Sequence, residues 1–362
     1  MAGEPLVSVV MPVRNAERHV REAVESVLAQ SLQDLECLIV DDGSTDSTPG
    51  VLRELERDDR RVRILRQPPR GLVPALNRGW SEARGRYVAR MDADDVALVD
   101  RLDLQVRFLR RCDDVAVLGG AMQLMTAGGL EDQFLRHPTG PERVAAALTR
   151  ACCIAHPTVM ARREVVLESG GYRGQYLHAE DYDLWLRLAE RHRLDNLPQT
   201  LVRHRVHEGQ VSFASIEQQA ISALGARLAA LRRRAGGPDP TPVEGVITRA
   251  TLVGLGLGPA EIDRAVIGDA VHRANLMLGL GLSEEALRIV SALEGIDMSA
   301  AGRRRLPAEV AWLRGKVDLR RRRGLRAAGW LLRACWRRPA LLLNMMRALP
   351  RAAAGGKRGT AS

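Results

Sequence analysis

Apolar residues in the first hundred positions fall in short unbroken blocks, separated by stretches in which they recur every three or four residues. Leu6 to Met11 is the first block, closed by Pro12, and reads as a strand buried on both faces. From about Glu17 to Gln30, the residues Val20, Val24, Val27 and Leu28 share one helical face. The pattern repeats with a strand at Cys37 to Val40, a helix near Thr48 to Glu56, a strand at Val62 to Leu65 and a helix ending about Ala83. A further strand, Arg86 to Met91, follows. Strand–helix alternation of this kind predicts an α/β fold with a mostly parallel sheet and right-handed crossovers. It also predicts that the carboxyl ends of the strands share one edge.

Beyond Asp95 the pattern predicts a helix at Arg101 to Arg111 and a strand at Val115 to Leu118, with Met122 to Thr126 pairing back on it across Gly119-Gly120. A turn at Gly128-Gly129, a helix at Glu142 to Leu148, a strand at His156 to Met160 and a turn at Gly170-Gly171 follow. A helix opens at Ala179 with Asp181, Trp185 and Leu188 on one face, and Leu201 to Val206 reads as a short basic strand. From about Ile216 the texture becomes helical and rich in Ala, Leu and Arg, broken at Gly236-Gly237-Pro238 and near Gly254 to Pro259, with a helix start capped by Ser283. The expected organisation is an α/β domain over residues 1–215, a helical region over 216–318 and a basic amphipathic tail over 319–362 with a frayed end.

Charge sharpens that division. The chain of 362 residues carries a net +10. From Ala301 onward there are 17 Lys/Arg against Glu309 and Asp318, a net +15, so the first 300 residues carry −5. The tail therefore points to an anionic surface as its partner. Arg326, Arg333 and Arg337 lie near one helical face, beside Leu325, Leu332 and Trp336, and an apolar run, Ala340 to Met346, follows Pro339. That combination predicts a helix lying in the interface of an anionic membrane. Five cysteines without zinc-type spacing predict reduced thiols, and the first residues show no secretory signal, so the expected setting is cytoplasmic, at the inner face of the cell membrane.

Chemistry concentrates at strand ends. Tyr87 to Met91 runs straight into Asp92-Ala93-Asp94-Asp95. Three carboxylates at one strand end repel each other unless a cation sits among them. A hard divalent ion with oxygen ligands, Mg²⁺ or Mn²⁺, fits that need, while helix capping is the competing use for Asp. Pro12-Val13-Arg14-Asn15 and Asp41-Asp42-Gly43-Ser44 end two other strands and are expected on the same edge, although Asp41-Asp42 also suits a turn and helix cap.

The run Val7 to Glu17, then Ser26 to Ser31, Asp41 to Asp46, Asn77-Arg78-Gly79, Met91 to Asp95 and Glu180-Asp181-Tyr182-Asp183-Leu184-Trp185 together resemble family 2 glycosyltransferases of the GT-A fold, over about the first 215 residues. The resemblance implies an inverting transfer from a nucleotide-diphosphate sugar to a hydroxyl on a saccharide or lipid-linked acceptor, in cell-surface polysaccharide or glycoconjugate synthesis. It implies that Pro12, Val13, Arg14, Glu17, Asp41 and Asp42 hold the base and ribose, with Asn77 and Arg90 as further contacts to base or phosphate. It assigns Asp92 and Asp94 to the nucleotide-sugar and its Mn²⁺ or Mg²⁺, with Asp95 a ligand or a helix cap. Asp181 matches the family's catalytic base and Glu180 its orienting neighbour. Arg203 to Ser212 resembles a segment that closes over the diphosphate, Arg205 neutralising phosphate and His207 binding it or the metal. His156-Pro157-Thr158 matches a pattern near the acceptor. Where the family usually has an aromatic after the first strand's proline, this chain has Val13.

Three other classes are weighed against that reading. A metal-dependent nucleotidyltransferase would carry a Gly-rich, basic loop after the first strand, and Pro12 to Asn15 is not one. A dinucleotide dehydrogenase needs Gly-x-Gly-x-x-Gly there, which is absent. A non-catalytic membrane-associated scaffold of the same fold would have little reason to keep Asp92, Asp94 and Asp181. No nucleic-acid partner is expected.

Overall fold

The computed structural model describes residues 4–126, 129–206 and 215–338. The chain divides into two compact units, Met1–Gln210 with Ser222–Ile247, and Val211–Ile221 with Thr248–Ser362.

The first unit opens as the alternation predicts: β1 (Val7–Val13), α1 (Val20–Leu28), β2 (Leu35–Asp42), α2 (Thr48–Asp58), β3 (Val62–Gln67), α3 (Leu72–Glu82) and β4 (Tyr87–Arg90). The four strands are parallel in the order β3-β2-β1-β4. Val13 pairs with Asp41 and Val10 with Arg90, so the loops after β1, β2 and β4 leave by one edge. One face of the sheet is covered by Val20, Val24 and Val27 of α1. Leu102, Val106 and Leu109 of α4 (Arg101–Arg111) extend the same apolar core.

The sheet then changes direction. β5 (Val96–Ala97), β6 (Val115–Thr126), β7 (Gly129–Leu135), β8 (Met160–Arg162) and β9 (Arg193–Arg205) complete it, β8 lying antiparallel between β4 and β6, and β9 between β6 and β5. The helices here are α5 (Pro141–Leu148), α6 (Arg163–Glu168) and α7 (Glu180–Leu188).

Several expectations are corrected. The helix expected from Glu17 starts at Val20, because Glu17 caps another element: its Oε2 accepts from the Ser47 N–H at 2.8 Å, ahead of α2. The stretch expected to fold back at Gly119-Gly120 is one continuous strand, β6. Those glycines instead admit β9, since a Cβ at Gly119 would strike the Asn196 side chain and one at Gly120 would strike Leu201. β9 is accordingly much longer than the Leu201 to Val206 strand expected. His156–Thr158 is a 3₁₀ turn rather than a strand, closed by the Thr158 hydroxyl donating to the Ala155 carbonyl at 2.7 Å. Ser283 is the first residue of its helix rather than the cap, which is Leu282.

The second unit is helical among its described residues. α8 (Ile216–Arg234) begins in it, and α9 (Arg249–Gly254), α10 (Pro259–Gly279), α11 (Ser283–Glu294), α12 (Ala300–Arg320) and α13 (Gly324–Arg337) follow. Buried Asp263 organises part of it, accepting from Arg249 at 2.6 Å and from the Ser299 N–H at 2.9 Å. Ala308, Ala311 and Trp312 of α12 pack on Ala334 and Cys335 of α13. No described helix is long and apolar enough to cross a membrane. The run Ala340 to Met346 lies outside the described residues.

The parallel half hinges on a small residue. The Ser8 hydroxyl is buried, donates to Glu36 Oε1 at 2.6 Å and accepts from the Gly85 N–H at 2.8 Å. A Cβ on Gly85 would sit 2.5 Å from the Ser8 backbone nitrogen, which cannot swing aside as a side chain can. Gly85→Ala is expected to cost about 1–3 kcal/mol of stability through forced separation of β1 and the approach to β4. Urea unfolding checks it: an unchanged midpoint would mean the backbone relaxes freely there.

Candidate functional site

The edge where β1 and β2 end is built from backbone turns held by short polar side chains. Asn15 adopts a left-handed φ of 51°, and its Oδ1 accepts from the Thr45 N–H at 2.8 Å. Asp41 is buried and accepts from the Ser44 N–H at 3.0 Å. Asp42 is equally buried, but its two oxygens accept from Gln67 and from the Arg70 and Gly71 N–H groups, each at 2.8 Å. Of the expected donor-binding set, Pro12, Val13, Arg14 and Asp41 therefore line the loop edge. Asp42 fixes the loop after β3, and Glu17 fixes the start of α2.

Asn77 is engaged in both directions with one backbone unit. Its Nδ2 donates to the Tyr172 carbonyl and its Oδ1 accepts from the Tyr172 N–H, both at 2.8 Å. Gly171, at φ 70°, has no room for a Cβ against that amide. This residue places Tyr172.

The acidic cluster after β4 is the chemical centre. Carboxylate oxygens of Asp92, Asp94 and Asp95 lie within 4.8 Å of one another. Asp92 is paired with buried Arg90. Burial raises the Asp92 carboxyl above the usual carboxylate range; Arg90 pulls it down, and Asp95 and Asp94 push it up. Asp95 is fully buried and accepts from His204 Nδ1 at 3.0 Å and from the Arg205 N–H at 2.8 Å. Burial works against the charged imidazolium of His204, but Asp95 overcomes it and lifts the group to about 9. The Arg205 guanidinium donates to the Asp94 carbonyl at 2.8 Å and to Glu22 at 2.6 Å. Beneath lies Arg101, 1% exposed, which donates to the Arg90 carbonyl at 2.7 Å and is held down to about 9 by burial and by Arg90.

This donor set fits a hard divalent cation. It offers only oxygen ligands, crowds like charges, and leaves Asp92 and Asp94 half-exposed toward the edge. Asp95 differs from them: its oxygens hold β9 in place. His207 lies outside the described residues.

The start of α7 supplies the other carboxylates. Asp183 is fully buried between Arg173 and Arg187, with Arg187 Nε at 3.0 Å, which anchors the helix. Trp185 packs at 6.1 Å from His156 and 6.4 Å from Tyr172, and His156 Nε2 is 2.9 Å from the Tyr172 hydroxyl. Asp181, half-exposed, accepts from the Tyr182 N–H at 2.7 Å and lies 4.0 Å from the Cys152 thiol. Glu180 is buried; burial and then Asp181 push its carboxyl up to about 7. Arg90 acts electrostatically on Glu180 and on Tyr172, and Asp181 acts on Tyr172. Arg90, paired with Asp92, thus lies within electrostatic reach of Glu180 as well.

Of the residues expected to carry chemistry, Arg90, Asp92 and Asp94 come together after β4, and Glu180 and Asp181 at the start of α7. His204, Arg101 and Tyr172 are additions to the expected set. A histidine beside Arg205 in a strand facing an acidic loop was a signal for the first; nothing in the sequence pattern marked the other two.

The Glycosyl transferase family 2 model matches residues 8–168. The O-antigen biosynthesis glycosyltransferase WbnJ of Escherichia coli is 32% identical over 206 residues, which cover 56% of this chain and 80% of WbnJ. The UDP-Glc:alpha-D-GlcNAc-diphosphoundecaprenol beta-1,3-glucosyltransferase WfgD of Escherichia coli is 28% identical over 183 residues, 50% of this chain and 68% of WfgD. Among solved structures, the mannosyltransferase PcManGT from Pyrobaculum calidifontis in complex with GDP-Man and Mn²⁺ aligns with a TM-score of 0.52 at 18% identity, covering 92% of this chain and 87% of that one. With motifs, sheet order and relatives in agreement, the chain belongs to glycosyltransferase family 2 and has the GT-A fold.

Proposed function

We propose that this glycosyltransferase is inverting, that it takes a nucleotide-diphosphate sugar as donor, and that it builds a cell-surface polysaccharide or glycoconjugate. The observation that carries the reading is Arg90. It pairs with Asp92 and favours the charged form of Glu180, which supports reading the acidic cluster and the start of α7 as two sides of one site. WbnJ and WfgD, named for O-antigen synthesis and for transfer from UDP-Glc, support the donor class and the setting.

The residues divide the work as follows. Pro12, Val13, Arg14 and Asp41 receive the nucleoside at the ends of β1 and β2. Asp92 and Asp94 would hold Mn²⁺ or Mg²⁺, which as a Lewis acid neutralises a diphosphate leaving group. Arg205 sits where it can turn from the Asp94 carbonyl to phosphate. Asp181 takes the proton of the acceptor hydroxyl as its oxygen attacks the anomeric carbon, its own carboxylate steadied by the Tyr182 N–H. Glu180, buried beside it, orients the helix start. α13 brings the enzyme to the cytoplasmic face of an anionic membrane, where lipid-linked acceptors are met: Leu325 is 94%, Leu332 70% and Trp336 84% exposed on one side of it.

Incubation with labelled nucleotide-sugars and Mn²⁺ should release nucleoside diphosphate for one donor; release with none of them in the presence of a range of acceptors sinks the donor assignment. Asp181→Asn is expected to cut turnover roughly 10²–10⁴-fold while donor affinity stays near wild type. Wild-type turnover in that variant would remove Asp181 from the chemistry. Asp94 and Asp95 should separate cleanly. Asp94→Ala is expected to abolish Mn²⁺-dependent donor binding with little change in melting, whereas Asp95→Ala, by stranding His204, should destabilise the fold by about 3 kcal/mol or more. Calorimetric titration and thermal unfolding of the two variants read the difference, and equal melting temperatures would contradict it. For the membrane, full-length protein should pellet with anionic vesicles at low salt and be released as salt rises, each basic residue near the surface contributing about 1 kcal/mol. Binding indifferent to vesicle charge would rule that attachment out.

A further inference from the structure

The second unit holds a group of side chains that glycosyl transfer does not use. α12 and α13 turn on each other through Arg321, Arg322 and Arg323, with Arg322 at a left-handed φ of 57°. Beside this turn is a cavity of about 530 Å³. Arg314, Arg321, Arg323, Arg326 and Arg333 line it, together with a single acid, Asp318. Arg314 and Arg321 are tied to Glu294 and Glu284. Arg323, Arg326 and Arg333 have no carboxylate partner among the described residues. Trp330 stands in the wall with the Arg314 and Arg333 guanidinium carbons 5.6 and 5.2 Å from its ring centroid, which holds both cations at the cavity. Gly329, also on the wall, would meet no atom within 4 Å if it carried a Cβ, so the space beside it is open.

Five guanidinium groups around one space repel each other, and what the set lacks is an anion with several oxygens. Guanidinium forks match phosphate bidentately, and a phosphate monoester or diphosphate can engage two or three of them at once. We propose that this cavity binds a phosphate or diphosphate group, and that the group is the headgroup of a membrane lipid. The lipid source follows from α13 itself: the helix that supplies Arg326 and Arg333 exposes Leu325, Leu332 and Trp336, so hydrocarbon and phosphate are met by one element. The lipid source rests on the reading that α13 meets a bilayer; the phosphate site does not.

The test uses the full chain and vesicles of zwitterionic lipid doped with either phosphatidic acid or a fatty acid, matched in surface charge. Wild-type protein is expected to prefer the phosphate vesicles about tenfold, the value of one strong charge-assisted contact. Arg326→Gln with Arg333→Gln should abolish the preference. Arg320→Gln with Arg337→Gln, which removes the same charge outside the cavity wall, should weaken both vesicle types alike and leave the preference intact. Where the first pair melts below wild type, Arg333→Lys replaces it, keeping the charge and losing the fork. Equal binding to both vesicles, or equal losses in both pairs, overturns the cavity and leaves membrane attachment standing. If no vesicle is bound, the lipid source is overturned, and inorganic diphosphate in metal-free buffer decides the rest. A saturable change in tryptophan fluorescence that the first pair lacks keeps the phosphate site with a soluble ligand, and its absence in wild type overturns the site altogether.

Discussion

Charge balance at the end of β4 is the constraint on which the rest of the first unit depends. Three aspartates within four residues follow the strand end, and Asp95 has no solvent access. Buried charge is tolerated only when matched. Here the match comes from three elements: Arg90 on β4, Arg101 on α4 and His204 on β9, with the Arg205 N–H adding a hydrogen bond. Each of these elements must be where it is for the cluster to exist. The change from parallel to antiparallel pairing after β4 serves the same end, since it brings β9 beside β5 and its basic residues to the acidic loop.

The parts of this arrangement that were legible in the sequence are those written in local periodicity. β1, β2 and β4, the helices between them, and the acidic end of β4 follow from runs of Val, Leu and Ile and from what interrupts them. The parts that were not legible depend on partners far along the chain. Gly119-Gly120 carries the ordinary signature of a turn, and only the arrival of Asn196 and Leu201 makes it the middle of a strand. Asn77 looks the same whether its amide meets a ligand or a backbone; the Tyr172 peptide, 95 residues away, decides it. Asp42 and Glu17 carry the same lesson, as carboxylates whose partners are loop N–H groups. Sequence places a polar group at an edge and cannot say which neighbour reaches it first.

The two units also divide the electrostatic labour. The first collects carboxylates and holds them with a small number of buried cations. Among its described residues the second has a helix pair whose arginines outnumber the acids available to them. For the anionic donor proposed above, a strongly basic mouth would hold product as firmly as substrate. Keeping the excess positive charge on other helices lets surface attraction and turnover be set separately.

The His204–Asp95 pair has a consequence for the order in which the molecule is made. Its partners are 109 residues apart, and no local element brings them together. Closing so long a segment costs more chain entropy than any contact within the first sheet half, and non-local strand pairing is slow for the same reason. All four strands from β1 to β4 precede Asp92 in the chain, β4 pairing back on β1, so a nascent chain can have Asp92 and Asp94 in place well before β9 is laid against β5. Until then the loop after β4 lacks the clamp that sets its shape. The acidic site therefore ripens last, and its geometry is a certificate that the whole first unit has closed.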